Sequence, residues 1–359
     1  MGKFFDVELK RFADSYLKAI SPVGFEERGQ RVWLDYMKMY SDKTFTDNYG
    51  TAVAVIKGST DFKVVIEAHA DEISWSVKYI NENGTINVIR NGGSDQQVAP
   101  SKKVKILTLD GKEINGVFGW PAIHTRSKSK VSPETNNIFI DVGADSKKEV
   151  LNMGVNIGDV VVYDETPSIL NNRYILGKAL DNKIGGIAIS QVARKIKTSA
   201  EELPFTLYIV NSVQEEIGLM GAKMITETIK PDCVIVTDVT HHTDTDMIDK
   251  KVEGDVMCGK GPVVMVAPAV QKNLLRHVID TAYNNGIDIQ RTTTSGSTGT
   301  DTDSFAYSNG GVPSCLISFP LKYMHTTVEM VDMIDIEMVT ELIYRSVIGI
   351  KSNQDFKVV

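Results

Sequence analysis

The sequence predicts an α/β fold: a mixed, largely parallel sheet with flanking helices, interrupted by a small inserted β-barrel or sandwich. Three features lead there. Short, apolar, β-branched runs alternate with amphipathic helices towards both ends of the chain, the pattern of strands covered on both faces. Between about residues 75 and 163 the alternation stops, and short strand-like pieces follow one another, separated by Gly, Asn, Asp and Ser. The 359 residues and 42% hydrophobic content suffice for one large or two modest cores. Residues 1–74 and 165–359 are therefore read as two parts of one α/β domain, and residues 75–164 as the insert.

Taken in order, Asp6 caps a helix whose Leu9, Phe12, Tyr16, Leu17 and Ile20 share one face. The run Ser21-Pro22-Val23-Gly24 stops it, and a second helix is expected over residues 26–40. Residues 62–68 read as a buried strand. In the insert, strands are expected over residues 104–109, 113–118, 137–141 and 159–163, with one helix near 146–153. A helix over residues 182–197 carries Ile189, Val192, Ala193 and Ile196 at helical spacing. Residues 205–210, 233–236 and 314–319 read as further buried strands, with a helix over 270–284. Asp335 is expected to cap a last helix bearing Val339, Leu342, Ile343 and Val347.

Composition excludes several function classes. Lys plus Arg number 39 and Asp plus Glu 46, a formal charge of −7 that disfavours a nucleic-acid partner. No segment approaches the roughly 20 apolar residues of a membrane span, and the N-terminus lacks a signal-peptide core. The three cysteines, Cys233, Cys258 and Cys315, are odd in number and far apart, which gives neither a disulfide framework nor a Cys-x-x-Cys metal site. A reducing cytoplasm is the natural compartment.

Five segments carry chemistry. His69-Ala70-Asp71-Glu72 follows the strand at 62–68, Asp181-Asn182 opens a helix, and Glu215-Glu216 follows the strand ending near Val213. Asp238 closes the strand that begins at Cys233, and His325 follows the strand at 314–319. A lone histidine after a strand is more often a surface residue, and paired glutamates are usually a solvated turn. Four such groups at strand ends are different, because in an open α/β sheet the carboxyl ends of the strands line one crevice. Imidazole with carboxylate and no thiolate is the donor set for Zn²⁺, with Co²⁺ or Mn²⁺ as alternatives. Two ions about 3.5–4 Å apart need a bridging carboxylate plus an imidazole and a second carboxylate on each. Asp181 as bridge, His69 with Asp238, and Glu216 with His325 fit that inventory. Glu215 is left as general base, and Asp71 can accept the proton of the second His69 ring nitrogen. The expected chemistry is metal-assisted amide hydrolysis.

Ser21-Pro22-Val23-Gly24-Phe25-Glu26, Ala68-His69-Ala70-Asp71-Glu72, Ala179-Leu180-Asp181-Asn182-Lys183 and Glu215-Glu216-Ile217-Gly218 occur in that order. Thr237-Asp238-Val239-Thr240, Gly299-Thr300-Asp301 and Tyr323-Met324-His325 follow. This ordered set resembles peptidase family M42, dinuclear metallo-aminopeptidases that include the glutamyl and deblocking aminopeptidases, some labelled cellulase. The resemblance runs from Ser21 to Glu329. It implies a zinc-exopeptidase type of fold, the same ligands and base, and a cis peptide between Asp181 and Asn182. It also implies that the insert pairs subunits as a homodimer, six of which form a hollow dodecamer acting on peptides. The chain departs from the family where Ser74 follows Ile73, a place for Gly, and where Thr327 stands for the usual Pro after His325.

Rival readings are a di-metal amidohydrolase or deacetylase acting on small molecules, a metal-binding scaffold, and a glycosidase. The scaffold has no use for Glu215, and a glycosidase needs two carboxylates flanking a sugar rather than a metal pair. Among secondary candidates, His241 and the Thr300-Asp301 pair are expected near substrate. The Gly, Ser and Thr-rich run at residues 292–302 lacks the Lys of a P-loop. His124 reads as a surface or interface residue, and Cys258 has no base beside it.

Overall fold

The structure is a computed structural model that describes residues 4–126 and 132–359. The chain opens with helices α1 (Val7–Lys18) and α2 (Glu27–Met37), then strands β1 (Lys43–Thr46), β2 (Ala52–Ile56) and β3 (Lys63–His69). Asp6 caps α1 by accepting the Leu9 N–H at 2.8 Å. The insert holds β4 (Ser74–Ile80), β5 (Ile86–Asn91), β6 (Lys103–Leu107), β7 (Glu113–Gly119), β8 (Phe139–Asp141), α3 (Lys147–Met153) and β9 (Val160–Tyr163). After β10 (Ser168–Leu170) and β11 (Tyr174–Gly177) come α4 (Leu180–Ser199), β12 (Thr206–Ser212), α5 (Met220–Ile229) and β13 (Cys233–His241). The chain ends with α6 (Lys250–Glu253), β14 (Val263–Val266), α7 (Lys272–Asn284), β15 (Gln290–Thr293), α8 (Thr302–Ala306), β16 (Ser314–Leu321), β17 (Glu329–Asp332) and α9 (Met333–Ile348).

Eight strands form one sheet in the order β1-β2-β12-β3-β13-β16-β14-β15. Its centre, β12-β3-β13-β16, is wholly parallel, while β2 and β14 join antiparallel. The mixed, largely parallel α/β sheet expected from the alternation of runs and helices is thus present. Both faces are covered: β2 and β16 are buried at every position, the signature of a layer between helices. Helix α4 lies against the centre of the sheet, with every residue from Leu180 to Ala193 buried.

The insert closes into a six-stranded barrel, β4-β5-β8-β7-β6-β9, rather than a sandwich. Closure removes the open edges that a short-stranded sheet would expose. Its core is separate from the main one and includes Trp75, Val88, Ile106, Phe118, Ile140 and Val161. Trp75 and Phe118 meet edge-on at 5.4 Å between ring centroids.

The last helix corrects one expectation. It begins at Met333, and its cap is Asp332, which accepts from the Ile334 N–H. Asp335 is instead turned to the loop after α6, where it accepts the N–H groups of Gly259 and Gly261 at 2.6 and 2.8 Å. Among the described residues no helix is long and apolar enough to cross a membrane.

Candidate metal centre

Because β12, β3, β13 and β16 are adjacent and parallel, their carboxyl ends fall side by side. His69 is the last residue of β3, aligned with Ser212 at the end of β12. Asp238 sits within β13, and the chain leaving β16 carries His325. Asp181 enters from α4, where it and Asn182 depart from helical geometry. The Asp181–Asn182 peptide is cis, the conformation implied by the resemblance. Asn182 is fixed by donating to the Thr237 carbonyl at 2.8 Å.

The five expected ligands converge. His69 Nε2 lies 3.1 Å from Asp181 Oδ1 and 3.6 Å from Asp238 Oδ1. His325 Nε2 lies 3.2 Å from Asp181 Oδ2 and 3.4 Å from Glu216 Oε1. Two triads result, His69–Asp181–Asp238 and Asp181–Glu216–His325, each with donor atoms within 4.8 Å of one another. They share Asp181, whose two oxygens face different histidines. Glu215 approaches the first triad, with Oε2 3.9 Å from His69 Nε2.

Surrounding groups hold this arrangement. His69 Nδ1 is 3.2 Å from the Asp71 carbonyl oxygen and 3.5 Å from its carboxylate, which directs Nε2 into the site. The Asp71 carboxylate also fixes the Glu215-Glu216 backbone, since its two oxygens accept the N–H groups of Glu215 and Glu216 at 3.0 and 3.1 Å. Glu329, not singled out from the sequence, does the same elsewhere, accepting from the Asp181 N–H at 3.2 Å and the His325 N–H at 2.8 Å. The only hint of it was its place four residues after His325. Behind the site, Glu72 pairs with Lys178 and Lys183 and accepts the Ser21 N–H at 2.8 Å. This holds Glu72 down at about 2, since the two ammonium groups outweigh its burial.

Charge is concentrated here. Burial acts to lower the pKa of His69, but Glu215, Asp181 and Asp238 outweigh it and hold it well above the usual range. His325 is likewise disfavoured by burial yet raised to about 11 by Asp181 and Glu216. Burial lifts Glu215 well above an ordinary glutamate and Glu216 to about 7, and it raises Asp238. Asp181 stays low despite burial because both histidines face it. So many carboxylates in one buried place demand positive charge among them. An imidazole–carboxylate set of this composition suits divalent cations, so the residues fit a metal pair.

The site opens into a cavity of about 390 Å³. Of the residues expected near substrate, His241 and Thr300 line it. Asp301 does not: it is buried behind the site, where the Ser212 hydroxyl lies 2.6 Å from both its Oδ2 and Glu67 Oε1. One hydroxyl proton serves only one carboxyl, so the other must donate its own; burial lifts Asp301 to about 6 and, with Asp301 beside it, Glu67 well above an ordinary glutamate, so Glu67 is the one that keeps its proton. His124 is exposed on the insert. Burial pushes the Cys258 thiol up to about 12, and its Sγ donates to the Pro320 carbonyl, so it is no nucleophile. The barrel reaches this site as well. A Cβ added at Gly93, just after β5, would lie 2.2 Å from His325 Nδ1, and one at Gly92 would lie 3.1 Å from Glu216 Cβ.

Comparison with known proteins agrees with this geometry. The model of the M42 glutamyl aminopeptidase family matches residues 50–342. The lysyl aminopeptidase of Pyrococcus furiosus is 31% identical over 323 residues, covering 89% of this chain and 91% of that protein. The structure of aminopeptidase APDkam598 from Desulfurococcus kamchatkensis superposes with a TM-score of 0.91 at 30% identity, covering 98% of each chain. The TET1 peptidase of Pyrococcus horikoshii, described as assembling into a tetrahedron or a large octahedral shell, has a TM-score of 0.83 at 27% identity, covering 95% of this chain and 100% of that one. With the family model matched across both the sheet and the barrel, the chain belongs to the M42 glutamyl aminopeptidase family and is a metal-dependent aminopeptidase.

Proposed function

We propose that the chain removes N-terminal residues from peptides with two divalent ions, Zn²⁺ foremost, which His69, Asp238, Glu216, His325 and Asp181 would hold. The observation that supports this most directly is the pairing of the two Asp181 oxygens with different histidines, at 3.1 and 3.2 Å. When bound, the ions supply Lewis acidity, lowering the pKa of water and polarising the scissile carbonyl. Glu215 is the general base. It takes a proton from the attacking water and delivers it to the leaving amine nitrogen. The Asp71 carboxylate holds the Glu215-Glu216 backbone, so that one glutamate serves as base and its neighbour as ligand. The small-molecule amidohydrolase reading is not favoured, since the family description and the Pyrococcus furiosus relative both name aminopeptidases. We further propose cytoplasmic work as a homo-oligomer, with barrel-paired dimers built into a dodecamer. The likeness to TET1, with its tetrahedral assembly, supports this.

Glu215→Gln tests the central claim. The variant should carry metal as the parent does, measured by elemental analysis after dialysis. Its turnover of leucyl-p-nitroanilide should fall about 10²–10⁴-fold, the share of a positioned proton-transfer group. Undiminished turnover would remove Glu215 from the mechanism.

A further inference from the structure

The cavity beyond the metal ligands has an asymmetric wall. On one side edge strand β15 pairs with β14, with Met265 opposite Thr292, and the Thr294 N–H donates to the Val266 carbonyl. Side chains alternate along a strand. Thr292 and Thr294 line the cavity, while Arg291 beside them is exposed and does not. Helix α6 ends next to this strand. A Cβ on Gly254 would lie 3.6 Å from Thr292 Oγ1, and the preceding residue, Glu253, lines the same cavity. Glu253 is exposed and, among the described residues, pairs with no cation, although Lys250 in the same helix is held by Asp244 and Asp255. Among the described residues no lysine or arginine lines the cavity.

The charge balance gives this wall a sign. Asp181, Glu216, Asp238 and Glu215 together match the charge of two divalent ions, so Glu253 is the formal charge left over in the cavity. We propose that Glu253, with Thr292, Thr294 and Met265, forms the pocket for the substrate's N-terminal side chain and selects a basic residue over an acidic one. The inference rests on the aminopeptidase reading above and adds the substrate class. A lysine or arginine side chain suits the wall in both parts: its methylene stem can lie along Met265 while its cationic head reaches Glu253 and the threonine hydroxyls. A glutamyl or aspartyl side chain would meet a like charge with no cation to offset it, a negative selection as much as a positive one.

Steady-state kinetics on the metal-loaded, full-length protein would use lysyl-, leucyl- and glutamyl-p-nitroanilide. Glu253 is solvent-exposed, so its ion pair with substrate is worth about fivefold, and less as salt rises. The expected order of kcat/KM is lysyl above leucyl, with glutamyl lowest. In Glu253→Gln the lysyl-to-leucyl ratio should fall about fivefold, and in Glu253→Lys the glutamyl-to-lysyl ratio should rise by more than that. Binding gives an independent readout. Calorimetry should find L-lysine bound about fivefold more tightly than L-norleucine, its uncharged near-isostere, with the difference gone in Glu253→Gln. A wild-type preference for glutamyl substrate, or ratios unmoved by both substitutions, overturns the pocket assignment while leaving the aminopeptidase intact. Hydrolysis of none of the three substrates overturns both.

Discussion

Several carboxylates in this site bind backbone rather than ligand. Asp71 and Glu329 each engage both oxygens with N–H groups of the residues proposed as ligands or base, Glu215 with Glu216 and Asp181 with His325. A bond to the main chain fixes where a side chain starts, so these two acids set the geometry before any metal arrives. Glu26 belongs to the same shell. It is buried, it accepts the Gly24 N–H at 2.7 Å, and burial, with Asp71 repelling it, raises its pKa to about 8. A carboxyl held above its unfolded value of 4.5 contributes stability that is fully present below that value. The contribution is lost as pH rises through about 8. Glu26→Gln keeps the acceptor and cannot ionise. It should match the parent in stability near pH 4 and exceed it by several kcal/mol, at most about 5, at pH 9, in denaturant melts at both values. An equal gain at the two pH values would mean that Glu26 titrates normally.

Strand order explains why the ligands meet. Four parallel neighbours deliver their carboxyl ends to one edge, and α4 enters across that edge with Asp181 at its distorted first turn. The loop after β5 matters equally, because it carries the barrel up to His325. Glycine is required at Gly93 by contact rather than by torsion: an added methyl would overlap the imidazole at Nδ1 and Cε1, 2.2 and 2.5 Å away. Gly93→Ala should therefore push His325 aside. Calorimetric metal titration should find one of the two ions bound about tenfold more weakly or worse, with circular dichroism unchanged. Two ions at parental affinity would show that His325 yields without leaving its post.

The molecule is two bodies, a covered sheet and a closed barrel, each with its own apolar core. Of the apolar stretch in the insert, Phe118 fills the barrel and Trp120 packs partly against it. Val117 and Ile123 are 43% and 72% exposed, and Tyr79 and Ile89 on β4 and β5 are exposed too. Outward apolar groups on a closed barrel suit the centre of a two-fold interface. Sedimentation velocity at micromolar concentration should find the wild type as a dimer or a multiple of one. Val117→Asp combined with Ile123→Asp should lower the mass. A wild-type monomer would refute barrel-mediated pairing, and a dimer alone would leave the dodecamer without support.

Much of this is readable along the chain. Apolar runs such as Val64-Val65-Ile66 and Val234-Ile235-Val236 announce covered strands, because burial on both faces leaves no polar alternation. The residues at the ends of those runs are the candidate ligands for the same local reason. Half-polar elements do not declare themselves. Strands β4 and β5 mix exposed with buried positions, so neither a strict alternation nor an apolar run marks them along the chain. The sequence puts the cap of α9 three residues late because Asp332 and Asp335 are both good capping acids. What lies beyond the sequence is partnership at a distance: Asp71 with a backbone 144 residues away, Glu329 across 148 residues, Gly93 against His325. Periodicity records whether a segment is buried and how its own backbone is bonded. Which segments face each other depends on the order in which strands pair, and that order is a property of the folded sheet alone.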